Sequence, residues 1–179
     1  VELTALGPIA EYDIAYLSAA ILKGLLMEVV EERINLVNAR LIAERRGLRF
    51  IERKQRQHNE RYENLLTLQL TTSGASLVLR GSVVQGVPYI VAIDDLWVAF
   101  PAQGFLLLDR HQDRPGVIGR LGTLLGANDI NIAFMHVGRR APRGEAIMVL
   151  GLDERVPPEL MAQIAAMPYT HWVKFVELP

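Results

Sequence analysis

The stretch HQDRPGVIGRLGTLLGANDINIAFM, residues 111 to 135, decides the fold of the second half of the chain. It opens with a turn-forming Asp113-Arg114-Pro115-Gly116 segment, in which the proline suits the first position of a helix. Apolar side chains then recur at the three- and four-residue spacing of a helix with one buried face: Val117, Leu121, Leu124 and Leu125. We therefore predict a helix over Pro115–Ala127 and a strand over Ile130–Arg139.

The segments on either side extend this unit to six elements. A strand pattern at Phe105–His111 precedes it, and a strand at Glu145–Leu152, a helix at Pro157–Ala166 and a strand at His171–Leu178 follow it. The order βαββαβ is that of the ferredoxin-like fold, in which two helices cover one face of a four-stranded antiparallel sheet. The second half of the chain therefore predicts this fold.

The first hundred residues predict a different mixture of strands and helices. Val1–Leu6 has a strand pattern, and the apolar spacing predicts helices over residues 13–33 and 35–46, the second ending before Gly47. Five further segments have strand patterns: Leu48–Arg53, Leu65–Thr72, Ser76–Val84, Tyr89–Ile93 and Leu96–Phe100. This part is predicted to combine a sheet with helices.

A change of pattern separates the two halves. Pro101-Ala102-Gln103-Gly104 has turn composition, so we predict a domain at 1–101 and a second at 104–179. Asp94-Asp95 predicts a tight turn within the first. The predicted fold class is α/β of the α+β kind, a mixed sheet-and-helix domain followed by a ferredoxin-like βαββαβ domain.

Composition excludes several functions. Nineteen Lys and Arg against twenty Asp and Glu give a net charge of -1, so we expect no nucleic acid and no membrane partner. The chain has no cysteine, which excludes disulfides and thiolate chemistry and is compatible with the cytoplasmic location that we expect. The first residue, Val1, lies in a strand-like segment without an initiator Met, so we expect a piece of a longer chain.

No motif of catalysis is present in the sequence. The four histidines have no metal-ligand spacing, and no GxGxxG segment follows a strand. We therefore expect no catalytic residue, no metal site and no cofactor in this chain, which would not be an enzyme by itself.

The turn before the predicted helix has the groups that a zwitterion needs. The amides of Gly116, Val117 and Ile118 lie at a helix start, where a carboxylate is favoured. Asp113 offers a carboxylate to an ammonium group, and Asn131 offers both a donor and an acceptor. The alternative is that Asp113 only caps the helix and Asn131 only satisfies a turn.

Residues 111–135 closely resemble the start of an ACT domain, the amino-acid-sensing module of biosynthetic enzymes. Upstream, LSAAILKGLL (17–26) and ERINLVNARLIAERRG (32–47) resemble the intervening domain that precedes the ACT domain in long-form D-3-phosphoglycerate dehydrogenases. Iron-sulfur serine dehydratases have the same pair of domains, but their Ser-Ser-His signature is missing here, as is every cysteine.

The resemblance implies a regulatory and oligomerisation fragment of the dehydrogenase that begins L-serine biosynthesis. His111, Asp113 and Asn131 match the positions that contact serine in related dehydrogenases, so the implied effector is L-serine or a similar amino acid. The expected effector site consists of His111, Asp113, Gly116, Val117, Ile118 and Asn131. The resemblance also implies a homo-oligomer formed through ACT domains, with NAD bound in a catalytic half upstream.

Two alternatives stay open at this point. The chain could be a purely structural oligomerisation module without a ligand, or the regulatory part of another amino-acid enzyme such as a serine dehydratase. The basic stretch Arg45–Arg61 could hold a phosphate-bearing effector, but a solvated surface is the simpler interpretation. Some long-form relatives have a second anion site, and the matching positions here are Tyr89, Pro101 and Gly151, none of which is a cation.

Overall fold

The computed structural model describes residues 1–179, which form ten strands and four α-helices. The strands are β1 (Glu2–Leu6), β2 (Ile51–Gln55), β3 (Leu65–Thr71), β4 (Ser76–Val84), β5 (Val87–Ile93), β6 (Leu96–Pro101), β7 (Gly104–Gln112), β8 (Ile132–Arg139), β9 (Glu145–Leu152) and β10 (Thr170–Leu178). The helices are α1 (Ala15–Leu26), α2 (Ala39–Arg45), α3 (Val117–Gly126) and α4 (Pro158–Ala165), with a short 3-10 helix at Pro8–Glu11. No helix has both the length and the apolar character to cross a bilayer.

The chain forms two compact units, Val1–Ser82 and Val83–Pro179. In the first, β1 pairs in parallel with β2 and antiparallel with β3, which pairs antiparallel with β4. A parallel neighbour requires a crossover, which α1 and α2 provide. The two helices pack on each other through Leu22, Leu26, Ala39, Ile42 and Ala43.

Both helices of this unit are shorter than their apolar spacing predicts. The first ends at Leu26, and the second begins at Ala39. The side chain of Asn35 accepts hydrogen bonds from the amides of Val37 and Asn38, at 2.9 and 3.0 Å. These are the contacts of a capping side chain, and the amide of Ala39 donates to the carbonyl of Asn35 at 3.0 Å, so Asn35 begins a turn that leads into α2.

The second unit contains the βαββαβ order, and this prediction is confirmed. Its four-stranded sheet has the order β10-β7-β9-β8, and every neighbouring pair is antiparallel. Helices α3 and α4 contribute to a buried apolar cluster on one face of the sheet: Leu107, Val117, Leu121, Leu125, Ile130, Met148, Leu150, Leu152, Val156, Leu160 and Ile164. The predicted α+β class is likewise confirmed.

The β5–β6 hairpin belongs to this same unit. The predicted tight turn at Asp94-Asp95 joins its strands, and Asp94 takes a left-handed φ of 54°. The hairpin approaches the sheet at Gly138, where a Cβ atom would lie only 2.5 Å from the carbonyl oxygen of Trp97. Gly138 pairs with Ile147 of β9, and the next residue of β9, Met148, faces the helices. Because neighbouring residues of a strand point to opposite faces, Gly138 and Ile147 point away from the helices, and the hairpin lies on that face of the sheet.

Along the chain, the division between the two units falls between Ser82 and Val83, inside β4, while the predicted boundary lies between β6 and β7. The segment at that boundary is held within the second unit, since the amide of Ala102 donates to the carbonyl of Pro88 at 3.0 Å. The division into 1–101 and 104–179 stays a prediction.

Candidate functional site

Helix α3 begins at Val117, and the prediction that Pro115 is its first residue is wrong. Gly116 precedes the helix with a left-handed φ of 89°, which no residue inside an α-helix adopts. The first helical bond runs from the amide of Arg120 to the carbonyl of Gly116, at 2.9 Å. The amide of Val117, expected to be free for a ligand, donates to the carbonyl of Arg114 at 3.3 Å.

Asp113 is held by the loop between β8 and β9. Its Oδ2 accepts hydrogen bonds from Nη1 of Arg139 at 2.7 Å and from the amide of Arg143 at 3.0 Å. The Arg139 guanidinium, followed by the Arg143 amide, lowers the pKa of Asp113, so the carboxylate is charged at neutral pH. Its side chain makes no capping bond to α3, contrary to the simpler interpretation of this residue. Both contacts fall on Oδ2, which leaves Oδ1 available to another donor.

A cavity of about 380 Å³ opens beside this turn. It is lined by Asp113, Arg114, Pro115, Gly116, Ile118, Arg139, Pro142 and Arg143. Three of the six predicted effector residues therefore lie together here: Asp113, Gly116 and Ile118. Val117 instead points into the apolar core, where 1% of it is exposed.

His111 is buried beside a residue that the sequence analysis did not single out, Asp109. The two side chains are 2% and 1% exposed, and Nδ1 of His111 lies 3.1 Å from Oδ2 of Asp109. Burial opposes the charging of His111, but the Asp109 carboxylate outweighs it and raises the pKa of the imidazole. The signal was present in the sequence, because alternation along β7 places residue 109 on the same face as Leu107, which is buried against the helices.

Asn131 lies away from the cavity within one chain. Its Nδ2 donates to Oδ2 of Asp153 at 2.6 Å, and its amide donates to Oε2 of Glu154 at 2.8 Å. Asn131 follows the end of α3, whereas Asp113 precedes its start, and a ten-residue helix is about 15 Å long. Asn131 of a single chain therefore does not reach a ligand bound at Asp113.

One flank of α3, which carries Gly119 and Gly122, is open. A Cβ atom placed at Gly119 or Gly122 would meet nothing within 4 Å. A second, mainly apolar depression of about 540 Å³ lies along this flank, lined by Gly116, Gly119, Arg120, Thr123, Leu124 and Ala127. The flank is accessible in the isolated chain.

The arginines of the β8–β9 hairpin are the part of the site that sequence reasoning missed. From the sequence, loop exposure is the simplest interpretation of Arg139, Arg140 and Arg143. The structure instead pairs Arg139 with Asp113 and Arg140 with Asp95, whose Oδ1 accepts from Nη2 at 2.7 Å. These pairs depend on the approach of segments distant in sequence, so local patterns contain no signal for them.

A second ionic group connects the β5–β6 turn to the sheet. The guanidinium of Arg110 donates to Oδ2 of Asp94 at 2.7 Å and to Oε1 of Glu145 at 2.8 Å, and its side chain is only 15% exposed. The contact with Arg110 lowers the pKa of Glu145. Arg110 points to the face opposite His111 because neighbouring side chains of a strand alternate.

Part of the basic stretch in the first unit is held by local contacts. Arg53 pairs with Glu2 at 2.7 Å, Arg56 pairs with Glu11, and Lys54 donates to the carbonyl of Tyr12. These contacts agree with the simpler interpretation of this stretch as a solvated surface.

At Gly151 of the suggested second anion site, the nearby space is filled. A Cβ atom at Gly151 would lie 2.2 Å from the ring of Phe134. The ring therefore occupies the space that a longer side chain at position 151 would need. Tyr89 and Pro101 face each other across the β5–β6 hairpin.

Comparison with protein families gives matches over nearly the whole chain. Residues 1–94 match the D-3-phosphoglycerate dehydrogenase intervening domain, and residues 105–168 match the ACT domain. The chain belongs to the D-3-phosphoglycerate dehydrogenase intervening-domain family. The four-stranded sheet with α3 and α4 is its ACT domain.

Curated relatives agree with this assignment. The chain is 36% identical over 178 residues to a D-3-phosphoglycerate dehydrogenase of Methanocaldococcus jannaschii, covering 99% of this chain and 34% of that protein. A D-3-phosphoglycerate dehydrogenase of Synechocystis is 39% identical over 160 residues, 88% of this chain and 29% of the relative. One from Bacillus subtilis is 34% identical over 177 residues, 97% of this chain and 33% of the relative. The chain spans about a third of the length of these relatives and matches their regulatory part.

Proposed function

We propose that this chain senses a small amino acid, with L-serine as the candidate effector, and holds subunits of a D-3-phosphoglycerate dehydrogenase together. The cavity at the start of α3 carries the proposal, because it combines charged side chains with a volume of about 380 Å³. Small-molecule cavities have volumes of about 300–1,000 Å³. The family match supports the regulatory role, since an ACT domain occupies this part of the chain.

The groups around the cavity fit both ends of an amino acid. The free Oδ1 of Asp113 can accept a hydrogen bond from an ammonium group. The carboxylate would lie towards Arg114 and Arg143, because a guanidinium forms two parallel hydrogen bonds with a carboxylate. The reverse orientation would place two negative charges side by side, so charge selects the first.

The catalytic chemistry belongs to the full-length protein. We propose that the full-length protein is an NAD-dependent D-3-phosphoglycerate dehydrogenase, as the names of the relatives suggest, and that NAD binds outside residues 1–179. This chain would contribute the effector site and the contacts between subunits.

Calorimetry with L-serine tests the proposal. We expect heat of binding for the wild type and a loss of at least about tenfold in affinity for Asp113→Ala, since a bond to a charged group is removed. Asp113→Asn separates charge from structure, because its amide oxygen still accepts from Arg139 and from the Arg143 amide. The control is Glu159→Gln, an exposed acid of α4, and D-serine and glycine report on stereochemistry and on the hydroxyl group.

A purely structural assembly module is the second candidate. The contacts of Asp113 favour this second candidate. Its carboxylate already accepts hydrogen bonds from Arg139 and from the Arg143 amide, so these contacts hold the turn without a ligand. Absence of heat with millimolar L-serine, or equal affinity in Asp113→Ala, would favour this function over sensing.

A further inference from the structure

The cavity beside Asp113 has an unequal balance of charge. Three of the side chains that line it are arginines, namely Arg114, Arg139 and Arg143, and Asp113 is the only acid, so three positive charges less one negative charge leave +2. The other lining residues, Pro115, Gly116, Ile118 and Pro142, are uncharged. An unfilled cavity of this kind attracts anions.

Two of these arginines have no acidic partner. Arg139 pairs with Asp113, at 2.7 Å. Arg114 and Arg143 are exposed, and neither guanidinium is paired with a carboxylate in the structure. Their positive charges are therefore available to a ligand.

The backbone that supports Arg143 is fixed without the use of its side chain. Its amide donates to Oδ2 of Asp113 at 3.0 Å, and its carbonyl accepts from the side chain of Gln112. Its φ of 62° lies in the left-handed region, which holds the loop in one conformation. A guanidinium on a fixed backbone loses less conformational freedom when it binds a ligand.

We propose that this cavity prefers a compact organic acid with two negative charges, a dicarboxylic or phosphorylated small molecule, over a neutral zwitterion. This inference rests on one part of the proposed function, the binding of a small effector in this cavity, and concerns the chemical class of that effector. A zwitterion brings one carboxylate and leaves the charge of the cavity at +2, whereas a dianion neutralises it. Guanidinium groups bind carboxylate and phosphate oxygens with matched geometry, so either acid group fits.

None of the other described cavities has the same excess of positive charge. The largest, of about 690 Å³, is lined by Leu6, Gln55, Gln57, His58, Asn59 and Glu60, and so has an acid and no arginine. The Arg53 and Arg56 guanidiniums nearby in sequence are paired with Glu2 and Glu11.

Calorimetric titrations of the full chain test the proposal. The probes are malonate and inorganic phosphate as dianions, acetate as a monoanion and L-serine as a zwitterion. Each is titrated at pH 7.5 in about 50 mM and about 500 mM NaCl, a tenfold difference in the concentration of screening ions. We expect both dianions to bind about two- to fivefold more tightly than acetate and L-serine, since an added exposed ion pair contributes up to about fivefold. High salt should weaken the dianions most.

A pair of variants separates the cavity from general surface charge. Arg143→Gln keeps the amide that holds Asp113 and removes one free guanidinium, so dianion affinity should fall about two- to fivefold. Arg46→Gln changes the protein's charge by the same amount at the exposed end of α2, and should leave affinity unchanged.

The outcomes distinguish this inference from the proposed function. Binding of L-serine with dianions no tighter than acetate would overturn the inference and leave serine sensing intact. Tight dianion binding without L-serine binding would support the inference and overturn serine sensing. Equal effects of Arg143→Gln and Arg46→Gln would show general attraction to the surface and overturn the cavity site, and no binding of any probe would overturn both proposals.

Discussion

The Nδ1 atom of His111 lies 3.1 Å from Oδ2 of Asp109, and both side chains are almost completely buried under the helices of the ACT domain. Neither carboxylate oxygen of Asp109 has a hydrogen bond, and the buried hydroxyl of Thr170 also lacks one. Thr170 faces His111 across the β7–β10 pair. When His111 is protonated, the two side chains therefore attract each other in a region where water cannot screen the charges.

This pair predicts that stability depends on pH above neutrality. Asp109 raises the pKa of His111 in the folded protein above its unfolded value of about 6.5. A raised folded pKa contributes stability that is complete below the unfolded pKa and is lost as pH rises through the folded pKa. The free energy of unfolding, measured with urea from pH 6 to 9, should therefore fall with increasing pH.

Asp109→Asn is the test of that cause, because it removes the charge and keeps the size. We expect its unfolding free energy to vary less between pH 6 and 9 than that of the wild type, while the control His171→Gln retains the wild-type slope. The same slope in Asp109→Asn and wild type would show that another group is responsible.

Replacing Arg110 by Met should destabilise the protein. The change leaves Asp94 and Glu145 without the cation that they share, and the Arg110 side chain that supplies it is only 15% exposed. We expect the free energy of unfolding to fall by about 1–3 kcal/mol. Arg53→Met breaks the pair with Glu2, where the arginine is 63% exposed, and should lose about 0.2–1 kcal/mol. Urea unfolding of both variants gives the comparison, and equal losses would contradict the role of burial.

Two glycines should respond in opposite ways to alanine. At Gly151, the added methyl group would lie 2.2 Å from the ring of Phe134, so we expect destabilisation of about 1–3 kcal/mol from overpacking. At Gly122, the methyl group meets nothing within 4 Å and the residue lies in a helix, so stability should rise by up to about 1 kcal/mol. Thermal unfolding measures both changes. Rescue of Gly151→Ala by Phe134→Leu would locate the clash in the ring.

We expect the chain to self-associate through its ACT domain. Strands β8 and β10 each pair on one side only, and an open strand edge exposes unpaired main-chain groups. Light scattering at micromolar protein should give a mass at least twice 20.0 kDa. A single species of monomer mass across the concentration range would contradict this prediction.

The β5–β6 hairpin should stabilise the ACT domain when present in the same fragment. Residues 83–179 retain the contact between Trp97 and Gly138 and the ion pair between Asp94 and Arg110, whereas residues 104–179 lose both. We expect the longer fragment to have the higher melting temperature by circular dichroism. A shorter fragment of equal stability would favour the boundary predicted at Pro101–Gly104.

The sequence pattern was enough to predict the βαββαβ order, because α3 has apolar residues at three- and four-residue spacing and the strands around it are apolar runs separated by turn residues. The ACT assignment came from the resemblance of residues 111–135. The pattern was not enough for the start of α3, where the left-handed Gly116 displaces Pro115 from the helix. The same limit applies to α2, which begins at Ala39 after a turn that the Asn35 side chain caps, although apolar spacing predicts a helix from residue 35.

The candidate site was predicted only in part for a related reason. The turn at Asp113 and Gly116 follows from residues that are adjacent in sequence. The contact of Arg139 with Asp113 joins residues that are 26 positions apart, and only the completed sheet brings them together. Asn131 was assigned to the site from its residue type and from the resemblance, and within one chain α3 separates it from Asp113.

Arg139 and Arg140 are consecutive residues that bind different parts of the unit. Arg139 holds Asp113 beside the cavity, and Arg140 holds Asp95 in the turn between β5 and β6. A ligand that displaces the Arg139 side chain from Asp113 would therefore act next to the residue that binds Asp95. A single peptide bond therefore separates the residue that lines the cavity from the residue that anchors the hairpin turn.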